Sequence, residues 1–422
     1  MKIQSVKGTR DFYPDQMRVR NWIADVWRKV SLRNGFEEYD APIFEYLDLF
    51  AIKSGQEIVE QLFSFTDRGG RKLAIRPEVT PSLARMVNAK INSLPRPIKW
   101  FSIPRLCRAE NPQRGRLREF FQWNVDVIGS DDVLADAECI FAAVDFLREV
   151  GLKPADVNVR IGSRPLTVAV LKAAGVGEKG MEEALAVLDK RPRVSDEEFT
   201  RLALAAGLGK EQIAAVTRFQ NCSSIDEIRR SLGEVQGTAA AIESLERLLA
   251  NLEAMGAADY CALDMRVVRG LAYYTGIVYE IFDAGAELRA IAGGGRYDNL
   301  LEVLGGPAVG ATGFGMGDVV LGILLEEKGK VPEEVLRPAL EFFVVCGQEG
   351  GFERVVEVVG ALRQAGRSAD FTYKAQPLGK QLKEANRRGA KKAVIVSADG
   401  LAVKDLATGQ QKDTTLQQLL KD

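Results

Sequence analysis

The sequence predicts an α+β chain in which a helical segment interrupts a mixed region and a small α/β domain follows. Three observations carry this. From Phe121 to Val127 the residues alternate: Phe121, Trp123, Val125 and Val127 point one way, Gln122, Asn124 and Asp126 the other. That is a strand with one core face and one polar face. From about 164 to 254 the pattern is almost wholly helical, with Ile242, Leu245, Leu249 and Leu252 at helix spacing. After residue 338, strand and helix patterns alternate.

Taken in order, Asp15–Arg33 reads as an amphipathic helix with Met17, Ile23, Val26, Trp27 and Val30 on its apolar side. Gly35–Phe44 is extended, and Pro42, which has no N–H, suits a strand edge or end. Lys72–Arg76 reads as a strand. Thr80–Ala89 reads as a helix, with Thr80 as its cap and Pro81 at its first position. Arg105, Arg108, Arg114, Arg116 and Arg118 surround a turn carrying Pro112 and Gly115. Asp131–Glu149 is a helix and residues 155–162 a strand. Strands and glycines return over 258–328, in Arg266–Phe282 and Ala292–Asp298. The charged stretch after them reads as a linker, here 329–337. The boundaries expected are thus 1–328 with an insertion at about 164–254, the linker, and 338–422. In the last part Phe342–Val345, Ser368–Tyr373 and Ala393–Ser397 read as strands, and Phe352–Ala365 and Leu378–Arg388 as helices.

The chain has 422 residues, room for two or three domains. Its net charge of -1 gives no global basic field, so any nucleic-acid binding must come from local patches. The five cysteines are scattered, with no CxxC, which fits a reducing compartment and neither a disulfide framework nor a thiolate zinc site. Met1–Lys7 has no apolar core of a signal peptide, and no apolar run is long enough to span a bilayer. The expected location is the cytoplasm. The sequence holds no histidine, which excludes a histidine base, nucleophile or metal ligand. Chemistry must rest on Arg, Asp, Glu, Lys, Tyr or a ligand-borne metal.

Four segments form a candidate set: Lys7–Pro14; Arg76–Pro81; the arginine hairpin, with Arg108, Glu110, Gln122 and Asp126; and Arg269–Tyr274. Each alone has an ordinary reading as a surface pair, a helix-start charge or strand packing. The hairpin by itself is either a solvated basic turn or, with its polar strand face, a clamp that holds an anion bidentately.

Together these segments resemble the histidyl-tRNA synthetases, of the class II aminoacyl-tRNA synthetase group, over nearly the full chain. The first class motif matches Gly35–Phe44 with Pro42 as its proline, and the second matches Arg108–Gln122. The histidine signature matches Arg269–Glu280, the glycine segment Gly293–Asp298, and Leu378–Ala390 the family's anticodon-binding domain. The resemblance implies an antiparallel class II catalytic sheet flanked by helices, a helical insertion, a C-terminal α/β anticodon-binding domain and a homodimer. It implies L-histidine, ATP and tRNA(His) as ligands, with Mg²⁺ carried by ATP rather than by protein side chains. Histidine's carboxylate would attack the α-phosphate of ATP, and the adenylate would then acylate the 3′ end of tRNA.

On this resemblance Arg108 and Arg269 are the catalytic pair. Arg108 serves the α-phosphate, and Arg269 the α-phosphate and the attacking carboxylate; a guanidinium stays charged and forks, which suits both jobs. With Glu110 they bind ATP. Glu78, Val79, Thr80, Gln122, Asp126, Tyr273 and Tyr274 bind histidine, Asp126 accepting from the imidazole ring. A site of buried donors and acceptors rejects a non-hydrogen-bonding side chain by roughly 10⁴. Arg114, Arg116, Arg387 and Arg388 are candidates for tRNA. Near the last two cluster Lys374, Lys380, Lys383, Lys391 and Lys392, with Phe371 and Tyr373 available to stack on bases. An ordinary solvated basic helix is the alternative.

The chain departs from the family in its third motif, Gly313–Leu324. Val320 stands where an arginine that packs on adenine is expected, Val319 where an acid is usual, and Ala272 where Asp is common. Either Arg296 or another cation takes the arginine's role, or ATP binding is weaker. This departure opens a rival, the non-catalytic histidine-sensing regulatory subunit of ATP phosphoribosyltransferase. Against it stand Arg108, Arg269 and the whole C-terminal domain.

Overall fold

The structure is a computed structural model that describes residues 3–51, 62–191, 194–233, 235–269, 273–285, 288–337, 340–347, 351–374 and 376–421. Helix α1 (Pro14–Arg33) buries Ile23, Ala24, Trp27, Val30 and Ser31. Short strands β1 (Glu37–Glu38) and β2 (Phe44–Tyr46) follow. The extended run read at Gly35–Phe44 is therefore strand only at its ends. Then come β3 (Ser64–Thr66), β4 (Lys72–Ile75), α2 (Thr80–Lys90), β5 (Ile98–Ser102), β6 (Arg105–Cys107), β7 (Glu119–Ile128), α3 (Leu134–Glu149) and β8 (Val157–Ser163). Six helices follow among the described residues of the insertion: α4 (Arg164–Ala173), α5 (Glu178–Lys190), α6 (Asp196–Ala205), α7 (Lys210–Gln220), α8 (Ile225–Leu232) and α9 (Ala239–Ala254). The chain returns as β9 (Cys261–Leu263), β10 (Ile277–Asp283), β11 (Ala292–Arg296), α10 (Leu300–Val303), β12 (Ala311–Gly317) and α11 (Asp318–Glu327).

One sheet of nine strands runs β1-β5-β7-β12-β11-β10-β8-β9, with β6 paired to β7. The β1–β5 and β8–β9 pairs are parallel and the others antiparallel. The alternation in β7 explains which face is covered. Trp123 stacks on Trp27 of α1 at 6.1 Å, meets Phe146 of α3 at 5.6 Å and Phe314 of β12 edge-on at 5.0 Å. Its indole N–H donates to Ser31 Oγ at 2.8 Å, so the buried ring leaves no polar atom unmet. Helices α1 and α3 therefore cover one face of the strand, and Gln122, Asn124 and Asp126 face the other way.

Two local readings need correction. Thr80 lies inside α2; the residue at its N-cap is Val79, which makes no side-chain cap bond. The Thr80 side chain lines the cleft described below instead. Among the described residues of Arg266–Phe282, strand begins at Ile277. Asp264 bends the chain by accepting from the backbone N–H and guanidinium of Arg266 at 2.8–3.0 Å. The apolar pair Val267–Val268 then packs beneath β8, so close that a Cβ at Gly162 would lie 2.2 Å from the Val267 carbonyl. Burial without pairing mimics a strand in the sequence. Ala272 lies outside the described residues.

The chain divides into two compact units, Met1–Asp11 with Arg20–Lys330, and Phe12–Val19 with Val331–Asp422. In the second, the segment read as a linker carries one helical turn, α12 (Glu333–Leu336), whose end holds Arg18 through the carbonyls of Val335 and Leu336. Then follow β13 (Phe342–Cys346), α13 (Phe352–Gln364), β14 (Ala369–Phe371), α14 (Leu378–Arg387), β15 (Lys392–Ser397), β16 (Gly400–Asp405), β17 (Gln411–Thr414) and α15 (Leu416–Lys421). The sheet order is β14-β13-β15-β16-β17, parallel through β14-β13-β15 and antiparallel beyond. The near-continuous apolar runs of β13 and β15 suit strands buried on both faces.

Candidate active site

The uncovered face of the nine-stranded sheet forms the floor of a cleft of about 860 Å³. Pairing register places Asn124, Gly315, Gly293, Glu280, Arg160 and Ala262 in one row across six strands. The two central residues are bare, and neighbours fill the space a side chain would take. A Cβ at Gly293 would lie 2.3 Å from Nη1 of Arg269, one at Gly315 2.6 Å from Nε2 of Gln122, and one at neighbouring Gly313 2.4 Å from Oδ1 of Asp126. The glycines thus form a trough in which charged and amide groups lie flat on the sheet.

Arg269 reaches the trough from the loop before β10. Its Nη1 donates to Glu280 Oε1 at 2.6 Å, and its carbonyl accepts from Arg164 Nη1 at 3.3 Å. Its backbone has φ 59°, a left-handed conformation that costs a non-glycine residue about 1–3 kcal/mol. Burial opposes its charge. The phenols of Tyr274 and Tyr273 and the Glu280 carboxylate more than offset that, so its pKa lies above the ordinary arginine value. Arg269 is a fixed cation.

Arg108 comes from the hairpin and lines the same cleft. Its Nε donates to the Pro77 carbonyl at 3.0 Å, and its guanidinium lies over Phe120 at 5.1 Å. Among the described residues it has no carboxylate within ion-pair distance. Arg116 also lines the cleft, where its Nη1 lies 2.7 Å from Glu110 Oε2. Arg114 sits outside, exposed and paired with Glu327. The first candidate segment supports the hairpin from behind: the Gly8 carbonyl accepts from Arg118 N–H at 2.8 Å.

At one end of the cleft are Glu78, Thr80, Gln122, Asp126, Tyr273 and Tyr274; Val79 is fully buried behind them. The Tyr273 and Tyr274 rings are 4.6 Å apart, and Tyr297 meets Tyr273 edge-on at 5.9 Å. The Tyr297 hydroxyl donates to Asp126 Oδ1. Burial, then the Asp126 charge, pushes the Tyr297 phenol well above its usual value. Burial, Tyr274 and Glu78 do the same for Tyr273. Both phenols stay protonated and act as hydrogen-bond donors.

The sequence reading gave Glu280, Tyr297, Phe120 and Arg289 no role. Glu280 had a signal: a carboxylate inside the apolar run Ile277–Asp283 requires a buried partner. Tyr297 and Arg289 had none; only the fold brings them to the cleft. Arg296, one of the two cation readings for the third motif, is taken elsewhere. It is held by Asp136, Asp298 and the carbonyls of Ser130 and Asp132, and it does not line the cleft. Arg289 lines the cleft together with Val320, and both approach Gly115. A Cβ at Gly115 would lie 3.2 Å from Val320 Cγ2 and 3.9 Å from Arg289 Cδ.

In the C-terminal unit Arg387 and Arg388 both pair with Glu384, at 2.7 and 2.8 Å, and Arg388 also with Asp370 at 2.6 Å. Tyr373 is 83% exposed, with its ring against Phe371 at 5.2 Å.

Two arginines lining one cleft over a bare antiparallel floor are suited to a phosphate-bearing ligand, and sheet and cleft together have the architecture of a class II aminoacyl-tRNA synthetase. The histidyl-tRNA synthetase family model matches residues 8–317, and an anticodon-binding domain model matches 341–422. A histidine–tRNA ligase of Opitutus terrae is 42% identical over 99% of this chain and 97% of its own. The chloroplastic/mitochondrial histidine–tRNA ligase of Arabidopsis thaliana is 40% identical over 98% of this chain and 85% of its own. The crystal structure of histidyl-tRNA synthetase from a Nostoc species shares the fold, with a TM-score of 0.83 at 22% identity over 100% of this chain and 99% of that one. The chain belongs to the histidyl-tRNA synthetase family. The regulatory-subunit reading is not favoured, since full-length relatives are ligases and the C-terminal match is an anticodon-binding domain.

Proposed function

We propose that this chain is a histidine–tRNA ligase whose chemistry rests on Arg108 and Arg269, which line the same cleft above the glycine trough. It activates L-histidine with ATP and transfers it to the 3′ end of tRNA(His). In the first step a histidine carboxylate oxygen bonds to the α-phosphorus as the bond to pyrophosphate breaks. Such an in-line transfer needs alignment and charge neutralisation more than covalent help. Arg108, without a carboxylate partner among the described residues, takes the α-phosphate. Arg269, pinned by Glu280, spans the phosphate and the incoming carboxylate. Glu110 and Arg289 hold ATP, Arg289 standing in for the arginine that Val320 replaces. Asp126 accepts from the imidazole, oriented by Tyr297, while Tyr273 and Tyr274 wall the ring. Glu78 and Thr80 take the α-ammonium and Gln122 the carboxyl end.

No group of three or more acids or thiols among the described residues is placed to hold a metal. Two acids of the cleft, Glu110 and Glu280, already pair with arginines. Mg²⁺ carried on the ATP phosphates would supply charge neutralisation there.

Residues 1–328 carry the chemistry, with the insertion at about 164–254, and 338–422 read the anticodon. The lysines of α14 and Tyr373 are the RNA contacts least committed within the protein; Arg114, Arg116, Arg387 and Arg388 are already paired with carboxylates. Ile43, Phe44, Tyr46 and Phe65 are all exposed on the β2-β4-β3 sheet, with Phe44 and Phe65 edge-on at 6.2 Å. An apolar patch of this kind suits a partner surface, and we assign it to a homodimer. The place of action is the cytoplasm, where the five free thiols stay reduced; no helix among the described residues is long and apolar enough to cross a membrane.

ATP–pyrophosphate exchange across the amino acids tests the activity. Exchange dependent on histidine alone is the expected result. Histidine binding without exchange would withdraw the roles of Arg108 and Arg269 and restore the sensor reading.

A further inference from the structure

Beside the cleft lies a second, smaller cavity of about 350 Å³. Its floor continues the row across the sheet: Arg160 lines both cavities, and Ala262 of β9 is its neighbour in register. Its roof is the end of α7, where Gln220 is only 3% exposed. Neither the amide nitrogen nor the amide oxygen of Gln220 has a hydrogen-bond partner. A buried amide without partners is costly, and an apolar side chain of the same length would avoid that cost. The rim is charged. Arg266 forks onto Asp264 at 2.8 Å through both Nε and Nη2, and Arg160 Nη1 approaches the same carboxylate at 3.7 Å. Two guanidiniums share one acid, which leaves a net positive rim.

We propose that this cavity is a nucleotide subsite for the single-stranded 3′ end of tRNA, with a base against Gln220 and its phosphate at Arg266 and Arg160. The proposal rests on the ligase reading. An amide offers one donor and one acceptor side by side, the pair that reads a base edge bidentately. The unpaired end of an RNA presents such edges, whereas a duplex hides them. The subsite is two strand spacings from Glu280, roughly 10 Å, within reach of a chain whose last ribose sits in the cleft. Arg160 lines both cavities, so a ligand that runs from one to the other would pass it.

The test uses the full chain with Gln220→Met, which keeps length and loses both polar atoms, and with Arg266→Gln on the rim. The expected result has three parts. Histidine-dependent pyrophosphate exchange, which needs no tRNA, stays within about twofold of the parent. The KM for intact tRNA in aminoacylation rises roughly tenfold. Inhibition by tRNA trimmed of its single-stranded 3′ end is the same for parent and variants. Gln220→Met should also melt no lower than the parent. An unchanged KM in both variants would overturn the proposal. So would equal weakening of trimmed tRNA, which would place the contact elsewhere on the RNA, or a lower Tm with reduced exchange, which would make Gln220 a structural residue. CMP or AMP binding by calorimetry that is lost in Gln220→Met while the tRNA KM holds would assign the pocket to a free nucleotide instead. Failure of exchange in the parent itself is a separate result, and it defeats the ligase reading rather than the subsite.

Discussion

Arg269–Glu280 in the cleft and Arg387–Glu384 in the C-terminal unit are the same two groups at nearly the same distance, 2.6 and 2.7 Å. Their surroundings differ. Glu280 is 4% exposed and Arg269 lies over the sheet floor with its backbone in a left-handed conformation. Arg387 and Glu384 lie on the outer face of a helix, in water. In the cleft, removing one partner takes the counter-charge from a buried group. On the helix, water and salt take over at once. Distance alone therefore ranks the two pairs wrongly. Burial and geometric constraint decide which arginine is a tool and which is surface.

The sharpest way to break this comparison is at Arg269. Arg269→Gln should lower histidine-dependent exchange by about 10³-fold or more, since it removes charge aimed at the transferring phosphate. Glu280→Gln should cost about 3–5 kcal/mol of stability in urea titration, because a buried guanidinium loses its counter-charge. A loss no larger than that of a surface mutant would show that the cleft pair is solvated like the exposed one. Next in size, Gly293→Ala places a Cβ 2.3 Å from Arg269 Nη1. It should fold and lose exchange by about 10²-fold, as a misplaced catalytic group does; full activity would mean Arg269 works from another position.

Smaller effects sharpen the picture at the two ends of the cleft. Tyr297→Phe frees one oxygen of Asp126 and should raise the KM for histidine about tenfold, the worth of one hydrogen bond to a charge, while the KM for ATP stays put. Arg289→Ala should do the reverse, raising the KM for ATP by a similar factor. If it leaves that KM unchanged, no cation has replaced the third-motif arginine. The smallest effect belongs to the helix. Hydrogen bonds from Arg387, then Arg388, hold the Glu384 carboxyl down at about 2. A depressed carboxylate adds stability above its ordinary value of roughly 4.3 and loses it as pH falls toward 2. Arg387→Gln should raise the Glu384 titration midpoint, read by NMR, and lower the urea midpoint at neutral pH only slightly, far less than Glu280→Gln does. A clear loss of stability there would put the exposed pair in the same class as the buried one.

The sequence by itself determined the elements whose cause is local. The period of two in β7, the helix spacing of α9 and the apolar runs of β13 and β15 all appear where the pattern puts them. It also picked out Arg108, Glu110, Gln122, Asp126, Tyr273 and Tyr274 as candidates, because they stand in motifs, and the structure brings all six to one cavity. It failed where a local pattern has two possible causes: Val267–Val268 is buried without being paired, and Thr80 begins a helix without capping it. Only the tertiary structure decided that Arg296 is held by Asp136 while Arg289 reaches the cleft, that Tyr297 holds Asp126, and that Gln220 is buried in the wall of a cavity that Arg160 also lines. The physical reason is common to all of these. Partnership between residues far apart in the chain is set by strand register and by where bare glycines let side chains lie on the sheet, and neither leaves a periodic trace in the sequence.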